Sequence, residues 1–298
     1  MLSFQKKTHT ANLGDTDTKK LEKSFSRQVL KPPSNIHADI ELVEYSMVPE
    51  MKESLAAKLD PFLRGEKNEV DNAVELKTII LKHLPKSMIH FLDASRTQRE
   101  SEIPAKVCVV RNLPEASTGA LKASELLSNY DGPTGGLSEK HRPFLLNDTY
   151  ASWIQKGLGL VLGMEPSQVD IIRTHNGYIQ SGELHLDEEP ITALAGIYDH
   201  QEIESKTRFV DLASCRDTLG YSLPLGHKDV TILGPIDEAT VTPNAVDYSV
   251  NNGAIAFWSN RGRIAHQALP SAVSSTVELS DKDVTRIILV AFFREKDF

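Results

Sequence analysis

A chain of 298 residues with 40% hydrophobic, 25% charged and only 6% aromatic side chains holds enough apolar material for a buried core and lacks the bias of a disordered, collagen-like or disulfide-rich protein. Forty-one acidic residues against 33 basic ones leave a formal charge of −8, so there is no global positive field to collect phosphates, which argues against nucleic-acid binding. The two cysteines, Cys108 and Cys215, are too few for a disulfide framework and lack Cys-X-X-Cys spacing.

The N-terminal stretch has no apolar signal segment, and the longest apolar run, Ile287 to Phe293, is too short to cross a bilayer. The expectation is a cytoplasmic protein whose partner is a small-molecule substrate, without nucleic acid or membrane; the oligomeric state is left open. Residues 1–35 are rich in Lys, Ser, Thr and Asp and close on Lys-Pro-Pro-Ser, so they read as a flexible N-terminal arm ahead of a single domain over 36–298.

Apolar residues at Met51, Leu55, Leu59 and Phe62, and again from Val70 through Ile80 to Leu84, recur every three or four positions and predict two amphipathic helices. The β-branched run Lys106 to Val110 predicts a buried strand, and Leu121–Leu127 and Thr149–Leu162 predict further helices. Beyond about residue 168 the texture changes to short strands punctuated by Gly, Pro, Asn and Asp: Asp170–Arg173, Ile191–Tyr198, Thr207–Leu212, Val230–Leu233, Ala254–Trp258 and Arg286–Phe293. Strands at this spacing, with helices elsewhere, predict an α+β fold: a double-stranded β-helix or jelly-roll core buttressed by helices.

The segment richest in chemistry is His185-Leu186-Asp187. Side chains two apart on a strand share a face, so an imidazole and a carboxylate meet there and can share a metal. His266, 81 residues later and just past the apolar strand Ala254–Trp258, is the candidate second imidazole. Two His and one carboxylate leave neighbouring positions open on a six-coordinate ion, the arrangement of non-heme Fe(II) oxygenases. Against this, a lone His-X-Asp arises often by chance among 10 His and 41 acidic residues. His175 and His200 rank lower as supporting groups, and Gly132-Pro-Thr-Gly-Gly136 lacks the Lys-Ser/Thr of a phosphate loop and reads as a flexible connection or lid.

The stretch Asn252-Gly-Ala-Ile-Ala-Phe-Trp-Ser-Asn-Arg-Gly-Arg-Ile-Ala-His266 resembles the approach to the distal iron ligand in the taurine dioxygenase and clavaminate synthase-like family of Fe(II)/2-oxoglutarate oxygenases. Lys106–Pro114, Lys206–Leu212 and Thr285–Phe293 are similar to three of its core strands, so the resemblance spans roughly residues 105–293. It implies that His185, Asp187 and His266 are the iron ligands and catalytic centre. It also implies that Thr207 and Arg286 hold the distal carboxylate of 2-oxoglutarate, and that with Fe(II) and O2 the protein couples oxidation of this cosubstrate to hydroxylation, or a related C–H oxidation, of a small polar metabolite such as a free amino acid or derivative.

Departures are visible. Arg286 lies twenty positions after His266, a longer gap than is usual in the family, and Val290 stands where some amino-acid hydroxylases carry a second Arg. Glu188-Glu-Pro-Ile lacks the His-containing continuation of the family's arginine and asparagine hydroxylases. Anchoring of substrate is therefore expected from the segments 129–142 and 268–283. Two alternatives stay open: a non-heme iron enzyme that does not use 2-oxoglutarate, and a non-catalytic β-barrel small-molecule binding protein in which His185 and His266 are ordinary core or surface residues.

Overall fold

A computed structural model describes residues 25–30, 40–99, 102–114, 147, 149–175, 184–199, 203–212, 231–232, 245–262, 264–269, 272–273 and 284–295. The elements in chain order are β1 (Phe25–Leu30), β2 (Glu41–Met47), α1 (Pro49–Leu63), α2 (Ala73–His83), α3 (Lys86–Thr97), β3 (Lys106–Arg111), α4 (Tyr150–Leu162), β4 (Met164–His175), β5 (His185–Leu186), β6 (Ile191–Asp199), β7 (Ile203–Glu204), β8 (Thr207–Asp211), β9 (Thr231–Ile232), β10 (Ala245–Tyr248), β11 (Ile255–Ser259), β12 (Ile264–Ala268), β13 (Ala272–Val273) and β14 (Val284–Glu295). Seven strands form a large sheet in the order β1-β2-β3-β11-β6-β14-β4, and five form a smaller one in the order β10-β8-β12-β5-β9. All pairings are antiparallel except β2 with β3.

The centre of the large sheet is covered on both faces, which is why β3, β6, β11 and β14 read as continuous apolar runs rather than as alternating ones. Along β3, Cys108 and Val110 pack toward the helices with Leu55, Leu59, Phe62, Ile80, Leu92, Ile154 and Leu158. Val107 and Val109 face the other way, into a second cluster with Leu194, Trp258, Ile288 and Val290 from the large sheet and Phe209 and Ile264 from the small one. On β14 the same alternation sends Ile287, Leu289, Ala291 and Phe293 to the helix side and Ile288 and Val290 between the sheets. The layers are therefore helices, large sheet, small sheet. Among the described residues no helix is long and apolar enough to cross a membrane.

The two expected N-terminal helices and α4 are present, as are β3, β6, β8, β11 and β14. Thr149 caps α4 by accepting from the Ser152 backbone N–H at 3.1 Å, and Gly163 ends it at φ 67°, a left-handed conformation suited to glycine. Other features depart from expectation. Phe25–Leu30, placed in the arm, pairs as an edge strand with β2. β4 is twelve residues long where four were expected, and β2, α3 and β10 were not anticipated. Polar residues interrupt the patterns of β4 and β10, so pairing and not periodicity defines them. The predicted helix Leu121–Leu127 and the Gly132–Gly136 connection lie outside the described residues. Buried Cys108 has its thiol pushed up to about 12 by desolvation, so it is an inert core side chain.

Helix α4 lies against α2 where Gly157 faces Ile80; a Cβ at Gly157 would fall 2.3 Å from Ile80 Cγ1. Since Ile80 is β-branched and fully buried, it cannot swing away. Gly157→Ala should cost about 1–3 kcal/mol of stability in urea denaturation, and the loss should shrink when combined with Ile80→Ala. An unchanged midpoint for Gly157→Ala would refute this close helix contact.

Candidate metal centre

The small sheet builds the site. On β12, His266 is the cross-strand partner of His185 on β5, so the two imidazoles stand side by side with ring centroids 4.2 Å apart. Alternation carries Leu184 and Leu186 to the outer apolar cluster and leaves His185 and Asp187 on the inner side. Asp187 follows the last residue of β5, and its Oδ1 lies 3.5 Å from His185 Nε2 and 3.7 Å from His266 Nε2. One ligand atom from each of the three residues falls within 4.8 Å of the others. The site thus joins the three residues singled out by spacing.

Burial sets their charges. Desolvation pushes the His266 imidazole down to about 4 against the opposing pull of Asp187, so near neutrality it is uncharged and offers a lone pair. Its Nδ1 is buried without a hydrogen-bond partner among the described residues. Burial raises the Asp187 carboxyl, but facing His266 and hydrogen bonds from His185 and Thr192 outweigh it and hold the group below the usual carboxylate range. His185 is the more open imidazole, with 28% of its side chain exposed against 10% for His266.

Thr207 and Arg286 come from opposite sheets. Thr207, buried on β8, lies two residues from Phe209, the partner of His266 across the ladder, and so shares that inner face. Arg286 is buried on β14 opposite Asp199 of β6, with Nε 3.8 Å from Asp199 Oδ1 and Nη2 donating to the Val250 carbonyl at 3.4 Å. Burial lowers the Arg286 pKa and raises that of Asp199, each partner opposing the shift of the other. Arg286 Nε makes no hydrogen bond among the described residues, leaving a buried donor for a further acceptor. His175 lies on β4, and His200 is outside the described residues.

Sequence reasoning missed Asp199, Thr192, Asn260 and Trp258. Thr192 Oγ1 donates to Asp187 Oδ2 at 2.5 Å, and Asn260, which opens a short 3-10 turn after β11, donates through Nδ2 to Thr192 Oγ1 at 2.8 Å. Trp258 sits edge-on to His266, with ring centroids 4.9 Å apart. The polar pair Ser259-Asn260 that ends the apolar run Ile255–Trp258 was the one available signal.

No protein-family model matches the sequence, and no curated protein does. Solved structures match in fold. The non-heme iron oxygenase OrfP in complex with Fe, succinate and (3R,4R)-dihydroxy-L-Arg aligns at a TM-score of 0.51 and 14% identity, covering 85% of this chain and 94% of that one. OrfP with Fe and alpha-ketoglutaric acid aligns at 0.50, with the same identity and coverage. An asparagine oxygenase in complex with Fe(II), 2S,3S-3-hydroxyasparagine and succinate aligns at 0.52 and 12% identity, covering 85% and 93%. Fold and site together define an α+β protein with a large and a smaller packed sheet and a cluster of two histidines and one carboxylate. Its fold is similar to those of OrfP and the asparagine oxygenase.

A base whose pKa is lowered by folding takes up a proton more readily once unfolded. His266 therefore contributes stability that is fully present above its ordinary value of 6.5 and is lost as pH falls from there toward about 4. Buried His83, also lowered mainly by desolvation, acts in the same direction. Denaturation of the metal-free protein at pH 7.5 and 4.5 should show a drop in stability that His266→Gln reduces and does not abolish; an equal drop in both proteins would refute the assignment.

Proposed function

We propose that this chain is an Fe(II)- and 2-oxoglutarate-dependent oxygenase on a double-stranded β-helix core, hydroxylating or otherwise oxidising a C–H bond of a free amino acid or amino-acid derivative. The observation that carries the reading is the convergence of His185, Asp187 and His266 through the β5–β12 pairing. The donor set suits the metal: two imidazole nitrogens and one carboxylate oxygen leave neighbouring positions open on a six-coordinate ion. The fold, shared with oxygenases bound to arginine and asparagine products, supports the substrate class.

In this reading His185, Asp187 and His266 hold the iron, and Arg286 with Thr207 receives the distal carboxylate of 2-oxoglutarate. The unpartnered Nε of Arg286 fits that role, because Asp199 at 3.8 Å is too distant for a close contact and a carboxylate would satisfy the planar fork better. Bound iron with its cosubstrate and dioxygen supplies the oxidising power that no side chain possesses. The chain's own residues hold and shield. Neutral His266 can ligate without first losing a proton, and Phe209, Trp258, Ile264, Ile288 and Val290 form an apolar wall between the sheets that excludes water. Val290 belongs to that wall, so a substrate carboxylate must be anchored elsewhere than on β14, and the segments 129–142 and 268–283 remain the proposed source. Segment 129–142 lies outside the described residues, as do 270–271 and 274–283.

Anaerobic addition of Fe(II) and 2-oxoglutarate should give a weak visible charge-transfer band that is lost in His185→Ala, Asp187→Ala and His266→Ala. Iron binding without the band would favour an iron enzyme that does not use 2-oxoglutarate, and no iron binding by the folded protein would leave a binding barrel. Arg286→Lys should raise the half-saturating 2-oxoglutarate concentration by roughly tenfold or more, because an ammonium cannot reproduce a two-pronged contact; Thr207→Val should raise it less, within the roughly 1.5–3 kcal/mol of one charged hydrogen bond.

A further inference from the structure

Three buried side chains outside the ligand set form one line of hydrogen bonds that ends on Asp187. Trp258 Nε1 donates to Asn260 Oδ1 at 3.0 Å, Asn260 Nδ2 donates to Thr192 Oγ1 at 2.8 Å, and Thr192 Oγ1 donates to Asp187 Oδ2 at 2.5 Å. Donor chemistry fixes the direction throughout. An indole N–H can only donate, so Asn260 meets it with oxygen and turns its amide nitrogen to Thr192. The hydroxyl then accepts on a lone pair and spends its single proton on the carboxylate.

Asn260 also holds the peptide that follows Asp187. Its Nδ2 donates to the Glu189 carbonyl at 2.6 Å and its backbone N–H to the Pro190 carbonyl at 3.0 Å. Thr192 and Trp258 are fully buried and Asn260 is 9% exposed, so water does not compete for these bonds.

The two carboxylate oxygens of Asp187 are thereby made unequal. Oδ1 faces both imidazoles, at 3.5 and 3.7 Å, while Oδ2 is taken by Thr192. We infer that Thr192, held in place by Asn260 and Trp258, is a positioning residue that reserves Oδ2 and makes Asp187 a one-oxygen ligand through Oδ1. The inference rests on the metal-centre reading above. Its consequence is coordination economy: a carboxylate binding through both oxygens would fill one of the positions that cosubstrate and dioxygen need. Groups that orient metal ligands in this way typically change metal affinity by 10–100-fold when removed.

Co(II) alone is the probe, titrated into the full-length protein, with affinity by calorimetry and geometry by the visible d–d spectrum. Thr192→Val keeps the shape and deletes the hydroxyl, Thr192→Ser restores the hydroxyl, and Trp258→Phe deletes the indole N–H while keeping a ring against His266. Thr192→Val should bind Co(II) roughly 10–100-fold more weakly and with an altered spectrum, Thr192→Ser should match the wild type in both, and Trp258→Phe should weaken binding about fivefold, the worth of one neutral hydrogen bond. Thermal melting identifies variants that fold, and Trp258→Phe carries the test if Thr192→Val does not. Wild-type affinity and spectrum in Thr192→Val, or in Trp258→Phe where that variant carries the test, would overturn the inference while leaving the metal centre intact. A folded wild type that takes up no Co(II) would instead overturn the metal-centre reading, and the inference with it.

Discussion

The candidate site depends on one register. His266 stands opposite His185 across the β12–β5 ladder, and since side chains alternate with period two, a slip by a single residue would turn one imidazole out toward the cluster of Leu184, Val210 and Ala265. β5 is only two residues long and could not fix that register by itself. It is held from the other side by β9 and, beyond Asp187, by the bonds from Asn260 to the Glu189 and Pro190 carbonyls.

Those bonds come from the 3-10 turn that follows β11 of the large sheet, so the ligand geometry depends on both sheets. Trp258 sits at that junction, fully buried, edge-on to Phe209 at 5.2 Å and to His266 at 4.9 Å. The same ring that fills the space between the layers starts the hydrogen-bond line to Asp187. Packing and ligand orientation are one structural fact here, because a large aromatic with a polar edge contributes both apolar area and a directed donor.

Electrostatics follow from the same burial. A dry environment keeps His266 neutral, while Asp187 has enough donors around it to remain charged. Arg286 and Asp199 repeat the theme on the large sheet, where each offsets part of the desolvation of the other at 3.8 Å and Asp199 also accepts from the Asn252 backbone N–H at 2.7 Å. Apolar side chains from both sheets fill the second cluster, which keeps the interior between the layers dry and strengthens the electrostatics of groups buried there.

Local pattern sufficed for the α+β class, for α1, α2 and α4, and for strands whose two faces are both buried, because apolar periodicity and continuous apolar runs are properties of short segments. It also exposed His185, Asp187 and His266 as residue types with metal chemistry, since i and i+2 on a strand share a face whatever the rest of the fold does. Spacing could not bring His266 to them across 80 intervening residues; the β12–β5 pairing did. Nor could it reveal Thr192, Asn260 and Trp258, which the fold links to Asp187 and His266, or Asp199, which it pairs with Arg286; all four read as ordinary strand and turn residues. Residue chemistry is written along the chain, whereas the distances that turn it into a site arise from long-range strand pairing and from the packing of one sheet on another.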